Sequence, residues 1–231
     1  MNLITVSGPP SSGKTALIIK TIENLKLRNL KVGVVKFDCL YTDDDKLYEK
    51  AGVPVKKGLS GSLCPDHYFV SNIEEVVQWG LKEKLDVLIT ESAGLCNRCS
   101  PYIQNIKAVC VIDNLSGINT PKKIGPMLKT ADIVVITKGD IVSQAEREVF
   151  ASRVNSVNPN AVVMHVNGLT GQGAYEFSTI IYKENENLET LEGKKLRFPM
   201  PSATCSYCLG ETRIGAEHQM GNIRKIDLGD K

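Results

Sequence analysis

Short apolar runs recur along the chain, each closed by a polar or glycine-rich turn and most then followed by apolar residues at helical spacing. Leu3-Ile4-Thr5-Val6 opens the series, and Ala16-Leu17-Ile18-Ile19-Lys20-Thr21-Ile22 is its first helical partner. Residues 31–37 read as a second strand ending at Asp38, followed by a helix over 43–50 led by acidic residues. The Gly/Ser-rich stretch 58–65 reads as a loop and 73–84 as a helix. Further strands are predicted over 86–90, 108–113, 132–137 and 161–166, with helices over 143–157 and 174–182. These strands are continuous Val/Ile/Leu runs without polar alternation, so both of their faces are buried. The pattern predicts an α/β fold, a doubly wound and mostly parallel sheet with ligands at the carboxyl ends of its strands.

The pattern changes near residue 184. Residues 183–195 are polar and charged with no apolar stripe, and short β-like pieces follow at 196–198, 212–214 and 223–228. The expected organisation is one nucleotide-binding domain over 1–183 and a small β-rich C-terminal appendage over 184–231. The composition, 42% hydrophobic and 23% charged over 231 residues, is that of an ordinary globular protein. A net charge of +2 points to neither nucleic acid nor an anionic membrane. The first residues run straight into a strand and no apolar run approaches a membrane span of about 18 residues, so a cytoplasmic protein is expected.

The first strand and helix are joined by Gly8-Pro9-Pro10-Ser11-Ser12-Gly13-Lys14-Thr15, the pattern G-x-x-x-x-G-K-[ST]. Strand, glycine loop and helix form the context in which backbone N–H groups at Gly8, Ser11, Ser12 and Gly13 cradle phosphates. Lys14 is expected on the β- and γ-phosphates and the Thr15 hydroxyl on Mg²⁺. Two strand-end carboxylates, Asp38 and Glu91, suit the magnesium side and the attacking water. Glu91-Ser92-Ala93-Gly94 adds a glycine that lets the loop move with the γ-phosphate. Thr137-Lys138-Gly139-Asp140 follows another strand. A carboxylate there accepts hydrogen bonds from N1 and the exocyclic amine of guanine, a donor pair that adenine lacks, while the lysine stem covers the base. The order of motifs favours GTP over ATP.

With these motifs in order, residues 1 to about 183 resemble the SIMIBI-class maturation GTPases of hydrogenase and urease, HypB, UreG and their CobW-type relatives. The stretch Val34-Val35-Lys36-Phe37-Asp38-Cys39-Leu40-Tyr41-Thr42-Asp43-Asp44-Asp45 resembles that family's first switch. Ser60-Gly61-Ser62-Leu63-Cys64-Pro65-Asp66-His67 resembles the Gly-Cys-Pro-His metal segment of the urease members, with Asp66 inserted before the histidine. Glu91-Ser92-Ala93-Gly94-Leu95 resembles the Glu-x-x-Gly switch. Leu169-Thr170-Gly171-Gln172-Gly173 resembles the family's Lys-Thr-Gly-Glu-Gly, departing from it at Leu169 and Gln172. The resemblance implies a slow, regulated GTPase that cycles between GTP and GDP, dimerises with nucleotide and delivers metal to a client apo-enzyme. It also implies Asp38 as the switch aspartate and Glu91 as the magnesium-side carboxylate. With three histidines in the chain, nickel storage is not expected.

Seven cysteines in such a chain point to metal or redox chemistry rather than disulfides. Cys39 adjoins the first switch, Cys64 and His67 form C-x-x-H, and Cys96 and Cys99 form C-x-x-C directly after the Glu91–Gly94 switch. Cys205 and Cys208 form a second C-x-x-C, and Cys110 within a strand reads as a core residue. Thiolates at this spacing select zinc, nickel or an iron–sulfur cluster. A four-thiolate set has two routes: the two C-x-x-C pairs meet in the fold, or two copies of Cys96 and Cys99 meet across a dimer axis. The second route resembles the nitrogenase iron protein and carries the alternative function, an iron–sulfur ATPase gating electron transfer. A small-molecule kinase and a metal-free signalling GTPase fit the cysteines less well.

Overall fold

The computed structural model describes residues 1–94, 99–184, 187–199, 210–220 and 223–229. Seven parallel strands form one sheet in the order β3-β2-β4-β1-β5-β6-β7. They are β1 (Asn2–Ser7), β2 (Val32–Asp38), β3 (Val55–Leu59), β4 (Val87–Ser92), β5 (Lys107–Asp113), β6 (Ile133–Thr137) and β7 (Val162–His165). The helices are α1 (Lys14–Leu27), α2 (Asp44–Lys50), α3 (Pro65–Lys82), α4 (Thr120–Lys123), α5 (Pro126–Lys129), α6 (Gln144–Val157) and α7 (Ala174–Ile181). The order steps outward in both directions from β4 and β1, so the doubly wound parallel architecture expected from the apolar runs is what forms. No helix among the described residues is long and apolar enough to cross a membrane.

The strand pleat divides the core into two faces. Ile4, Val6, Val34, Ile89, Val109 and Val135 point to the side covered by α1, α2 and α7, packing on Leu17, Ile18, Tyr48 and Phe177. Their alternating neighbours Leu3, Val35, Phe37 and Leu88 meet α3 through Tyr68, Phe69 and Ile73. Cys110, Ile112, Val134 and Ile136 extend that second face to α5 and α6. Burial on both sides explains why the central strands read as unbroken apolar runs.

Two expectations need correction. The stretch 58–65 is not all loop: β3 reaches Leu59 and pairs with β2 from Val34↔Val55 to Asp38↔Leu59. Its sequence Val-Lys-Lys-Gly-Leu hides it, because an edge strand carries polar side chains outward. Helix α3 begins at Pro65 rather than at 73. Proline tolerates the first helical position, and Tyr68, Phe69 and Val70 bury against the sheet in the first turns.

The chain beyond α7 packs on the α3 face. Leu191, Leu196, Ile214 and Leu228 join that cluster. Isolated bridges Ile103↔Leu196 and Lys195↔Arg213 pair short extended pieces. Arg197 clamps Asp132 with both terminal nitrogens, each at 2.8 Å, and donates to the carbonyls of Ile103, Ile106 and Thr130. The buried Asn72 of α3 grips residues 224–226 as a strand neighbour would. Its Nδ2 donates to the Arg224 carbonyl and its Oδ1 accepts from the Ile226 N–H.

Candidate functional site

The loop between β1 and α1 curls around the N-terminus of a helix. Gly13 takes a left-handed φ of 88° as the cap of α1, a conformation that a side chain would strain. Gly8 is required for a different reason: a Cβ there would lie 2.1 Å from the Val111 carbonyl oxygen of β5. A Cβ on Gly94 would likewise lie 2.4 Å from the Gly8 carbonyl oxygen, so the segment after β4 rests directly on the loop. Lys14 folds back with Nζ at 3.0 Å from the Gly8 carbonyl and 2.8 Å from that of Pro9. Burial holds its ammonium below the ordinary lysine value, partly offset by the Glu91 charge.

A cleft of about 490 Å³ opens along this loop, and its walls include Lys14, Thr15, Lys36, Asp38, Asp44 and Glu91. Thr15 Oγ1 lies 3.0 Å from Glu91 Oε1 and 3.2 Å from Asp44 Oδ2. Tyr48 donates its hydroxyl to Glu91 Oε2 at 2.5 Å. Burial, with the Glu91 charge beside it, pushes that phenol well above the ordinary tyrosine range, so it stays a donor. Asp38, at the end of β2, accepts from the Cys39 N–H at 2.8 Å and keeps an edge on the cleft. Hydroxyl and carboxylate oxygens are the donor set a hard divalent cation takes, so these residues fit Mg²⁺.

At the centre of the carboxylates sits Lys36. Its Nζ is 2.6 Å from Asp44 Oδ2, 2.7 Å from Glu91 Oε1 and 3.8 Å from Asp38 Oδ2. The β2–β4 register makes Lys36 and Glu91 direct cross-strand partners on the α1 face. Burial alone would lower the Lys36 ammonium, but the Glu91 charge and the bonds to Asp44 and Glu91 outweigh it and raise it. Burial likewise opposes ionisation of Asp44, yet Lys36 and Thr15 hold its carboxyl below the usual range. Lys36, Asp44 and Tyr48 were not singled out by motif reading. The available signal was a lysine inside the apolar run Val34-Val35-Lys36-Phe37, a charge with no solvent face to occupy.

A second cavity of about 250 Å³ adjoins the first, sharing Gly13 and Ala16 with it. Its wall contains Thr137, Lys138, Asp140 and Ile141 from one loop and Asn167, Gly168 and Leu169 from another. Thr137 donates to the Ser12 carbonyl at 2.6 Å and Lys138 to the Ser11 carbonyl at 2.7 Å, which ties this loop to the phosphate loop. Asn167 Oδ1 accepts from the N–H groups of Leu169 and Thr170 and closes the opposite wall.

The fold keeps the C-x-x-H pair together and adds Cys99 to it. Cys64, His67 and Cys99 bring their ligand atoms within 4.8 Å of one another. Cys64 caps α3 and His67 lies in its first turn, so the pair stands on a helix rather than in the loop expected for 58–65. A hydrogen bond from Cys99 draws the Cys64 thiol down to about 4 against the opposing effect of burial, and His67 and the Asp66 backbone help. These contacts draw Cys64 toward the thiolate, the form that binds metal. Asp66 is fully buried between the strand and the thiols. Ser92 donates to its Oδ1, and Cys99 Sγ lies 3.6 Å from its Oδ2. Burial, reinforced by the Cys64 charge, raises its carboxyl to about 6. Cys39 is half-buried beside the first switch. Cys110 is buried in the core, where burial pushes its thiol to about 12. Cys96, Cys205 and Cys208 lie outside the described residues, so the two expected routes to a four-thiolate set fall there as well.

Comparison with known proteins agrees with this geometry. The profile of the CobW/HypB/UreG nucleotide-binding domain matches residues 2–165. An uncharacterized protein of Methanocaldococcus jannaschii is 52% identical over 227 residues, covering 98% of this chain and 97% of that protein. The urease accessory protein UreG of Edwardsiella ictaluri is 30% identical over 196 residues, covering 78% of this chain and 93% of that one. Among solved structures, HypB from Helicobacter pylori in complex with nickel superposes with a TM-score of 0.63 at 18% identity, covering 81% of this chain and 92% of that one.

Proposed function

The chain belongs to the CobW/HypB/UreG family of P-loop NTPases, and from that premise we propose a GTP-hydrolysing metallochaperone. In this reading it carries a transition-metal ion on Cys64, His67 and Cys99 and hands it to a client apo-enzyme in the cytoplasm. The two-thiolate, one-imidazole set suits a soft or borderline ion such as nickel or zinc. Among the described residues three ligands converge, and a set of three leaves a coordination position through which cargo can be exchanged.

One observation supports coupling between nucleotide and cargo. Glu91 and Ser92 are consecutive at the end of β4, and the pleat sends them to opposite faces of the sheet. Glu91 meets Thr15, Lys36 and Tyr48 in the cleft, while Ser92 meets Asp66 beside the thiols. A shift of this strand end with the γ-phosphate therefore moves both sites at once.

In the cleft, Lys14 and the N–H groups of the loop from Gly8 to Gly13 hold the β- and γ-phosphates. Thr15, Glu91 and Asp44 would hold Mg²⁺, which would supply neutralising charge at those phosphates. Asp38 orients the attacking water from the cleft mouth. Asp140 reads the guanine edge and Lys138 covers the base. The exposed Leu40 and Tyr41 of the first switch support a nucleotide-dependent homodimer. The family match and the similarity to UreG support the metallochaperone reading over the iron–sulfur electron-transfer one.

The test is metal and sulfide analysis of protein purified without oxygen, together with GTP and ATP binding, on wild type and a Cys64→Ser, Cys99→Ser double variant. Nickel or zinc held by wild type, lost by the variant and modulated by GTP is the expected result. Iron with sulfide and a broad band near roughly 400 nm would instead favour the electron-transfer alternative.

A further inference from the structure

Lys36 has no place in the phosphate-loop chemistry, yet it occupies the most constrained position in the cleft. It is 3% exposed, and still it lines the cavity. The oxygens it bonds, Asp44 Oδ2 and Glu91 Oε1, are the same two that Thr15 Oγ1 approaches at 3.2 and 3.0 Å. A divalent cation on Thr15 would draw on those same oxygens. Two cations cannot both bond them at full strength, because their mutual repulsion is strong in a poorly hydrated site.

An ordinary buried ion pair does not account for this arrangement. One carboxylate would neutralise one lysine, whereas Asp38, Asp44 and Glu91 converge on Lys36 from two strands and a helix. The ammonium thereby ties α2, the helix after the first switch, to the end of β4, the start of the second. That is the closing contact a nucleotide-bound divalent cation makes in a switch protein.

We infer that Lys36 is a resident cation of the nucleotide cleft, standing in for the divalent ion until Mg²⁺ and nucleotide arrive, then releasing Asp44 and turning toward the phosphates. It is a positioning residue, and the inference rests on the reading of the cleft as a nucleotide–magnesium site. Two consequences follow. Without nucleotide Lys36 already offsets part of the carboxylate charge and occupies the oxygens Mg²⁺ would take, so Mg²⁺ adds little. When the divalent ion is withheld, Lys36 still offers a second ammonium beside Lys14, so nucleotide is retained.

The experiment uses the full chain, as wild type, Lys36→Met and Lys36→Arg. Unfolding midpoints of nucleotide-free protein are measured in EDTA and in millimolar MgCl₂. Wild type and Lys36→Arg should move by less than about 2 °C, while Lys36→Met should gain roughly 5–10 °C with Mg²⁺ as the ion fills the vacated charge. Equal responses from wild type and Lys36→Met would overturn the inference. A fluorescent GDP analogue gives a readout that needs no variant. Wild type should keep its affinity to within about 10-fold in EDTA, and a loss beyond about 100-fold would overturn the inference even if Lys36→Met does not fold. If wild type binds no nucleotide in either buffer, the nucleotide reading fails, and the Mg²⁺ response of Lys36→Met still decides the role of Lys36.

Discussion

The two pockets on either side of β4 are both buried and both charged, but they hold their charge in opposite ways. The oxygen cage at Thr15, Asp44 and Glu91 is partly neutralised from within by Lys36. The thiol cluster has no lysine among the groups that act on Cys64; an imidazole, His67, takes that place. The cluster's charge sits on Cys64 and is held by hydrogen bonds from Cys99 and His67. A lysine counter-ion built into the strand stays whether or not a ligand is present, whereas the groups that hold the Cys64 charge, Cys99 and His67, are themselves candidate metal ligands.

The largest expected effect tests whether the two pockets are separable. Lys14→Ala removes a charge-assisted phosphate contact and should weaken GTP binding by about 100-fold, measured by calorimetric titration. Metal affinity at Cys64, His67 and Cys99 should stay within about 3-fold. A parallel fall in both would mean one site rather than two.

A smaller effect tests their connection. Ser92→Ala removes the hydroxyl that bonds Asp66 and leaves Glu91 in place. Coupling between sites is commonly worth 5- to 150-fold. The dependence of metal affinity on bound GTP should therefore drop from roughly 10-fold to near unity, with each ligand alone bound normally. Undiminished coupling would place the link elsewhere.

The smallest effect is an almost flat profile. With its pKa drawn down to about 4, Cys64 is ionised throughout the neutral range and loses its charge only as pH falls through that value. Its iodoacetamide alkylation, followed by peptide mapping of metal-free protein, should change less than about 3-fold between pH 6 and 8, whereas an ordinary thiol gains on the order of 50-fold. Cys110, pushed up to about 12, should stay unlabelled. A steep rise for Cys64 would remove the contrast in how the two pockets hold charge.

Legibility followed the range of the interactions. The phosphate loop, its strand and its helix are contiguous, so glycine spacing and apolar period identify them together. The loop 137–140 is equally local, and the structure brings it to the phosphate loop through Ser11 and Ser12. β3 was hidden because an edge strand need not be apolar. The start of α3 was hidden because Pro65 resembles a loop residue until Tyr68 and Phe69 are seen against the sheet. Sequence spacing gave no sign that Cys99 meets Cys64 and His67, because most of a helix and a strand lie between them.

The chain by itself determined the parallel strands of the sheet, the phosphate loop and the position of the loop 137–140 after its strand, because each is encoded by residues within one turn or one strand of each other. Tertiary structure alone decided which oxygens face Thr15, which thiols meet, and that a lysine inside an apolar strand is a counter-ion rather than an anomaly. Those outcomes depend on strand register and pleat. The β2–β4 pairing sets Lys36 opposite Glu91, and the pleat turns Glu91 and Ser92 to different faces. Neither relation is written in the spacing of residues along one segment.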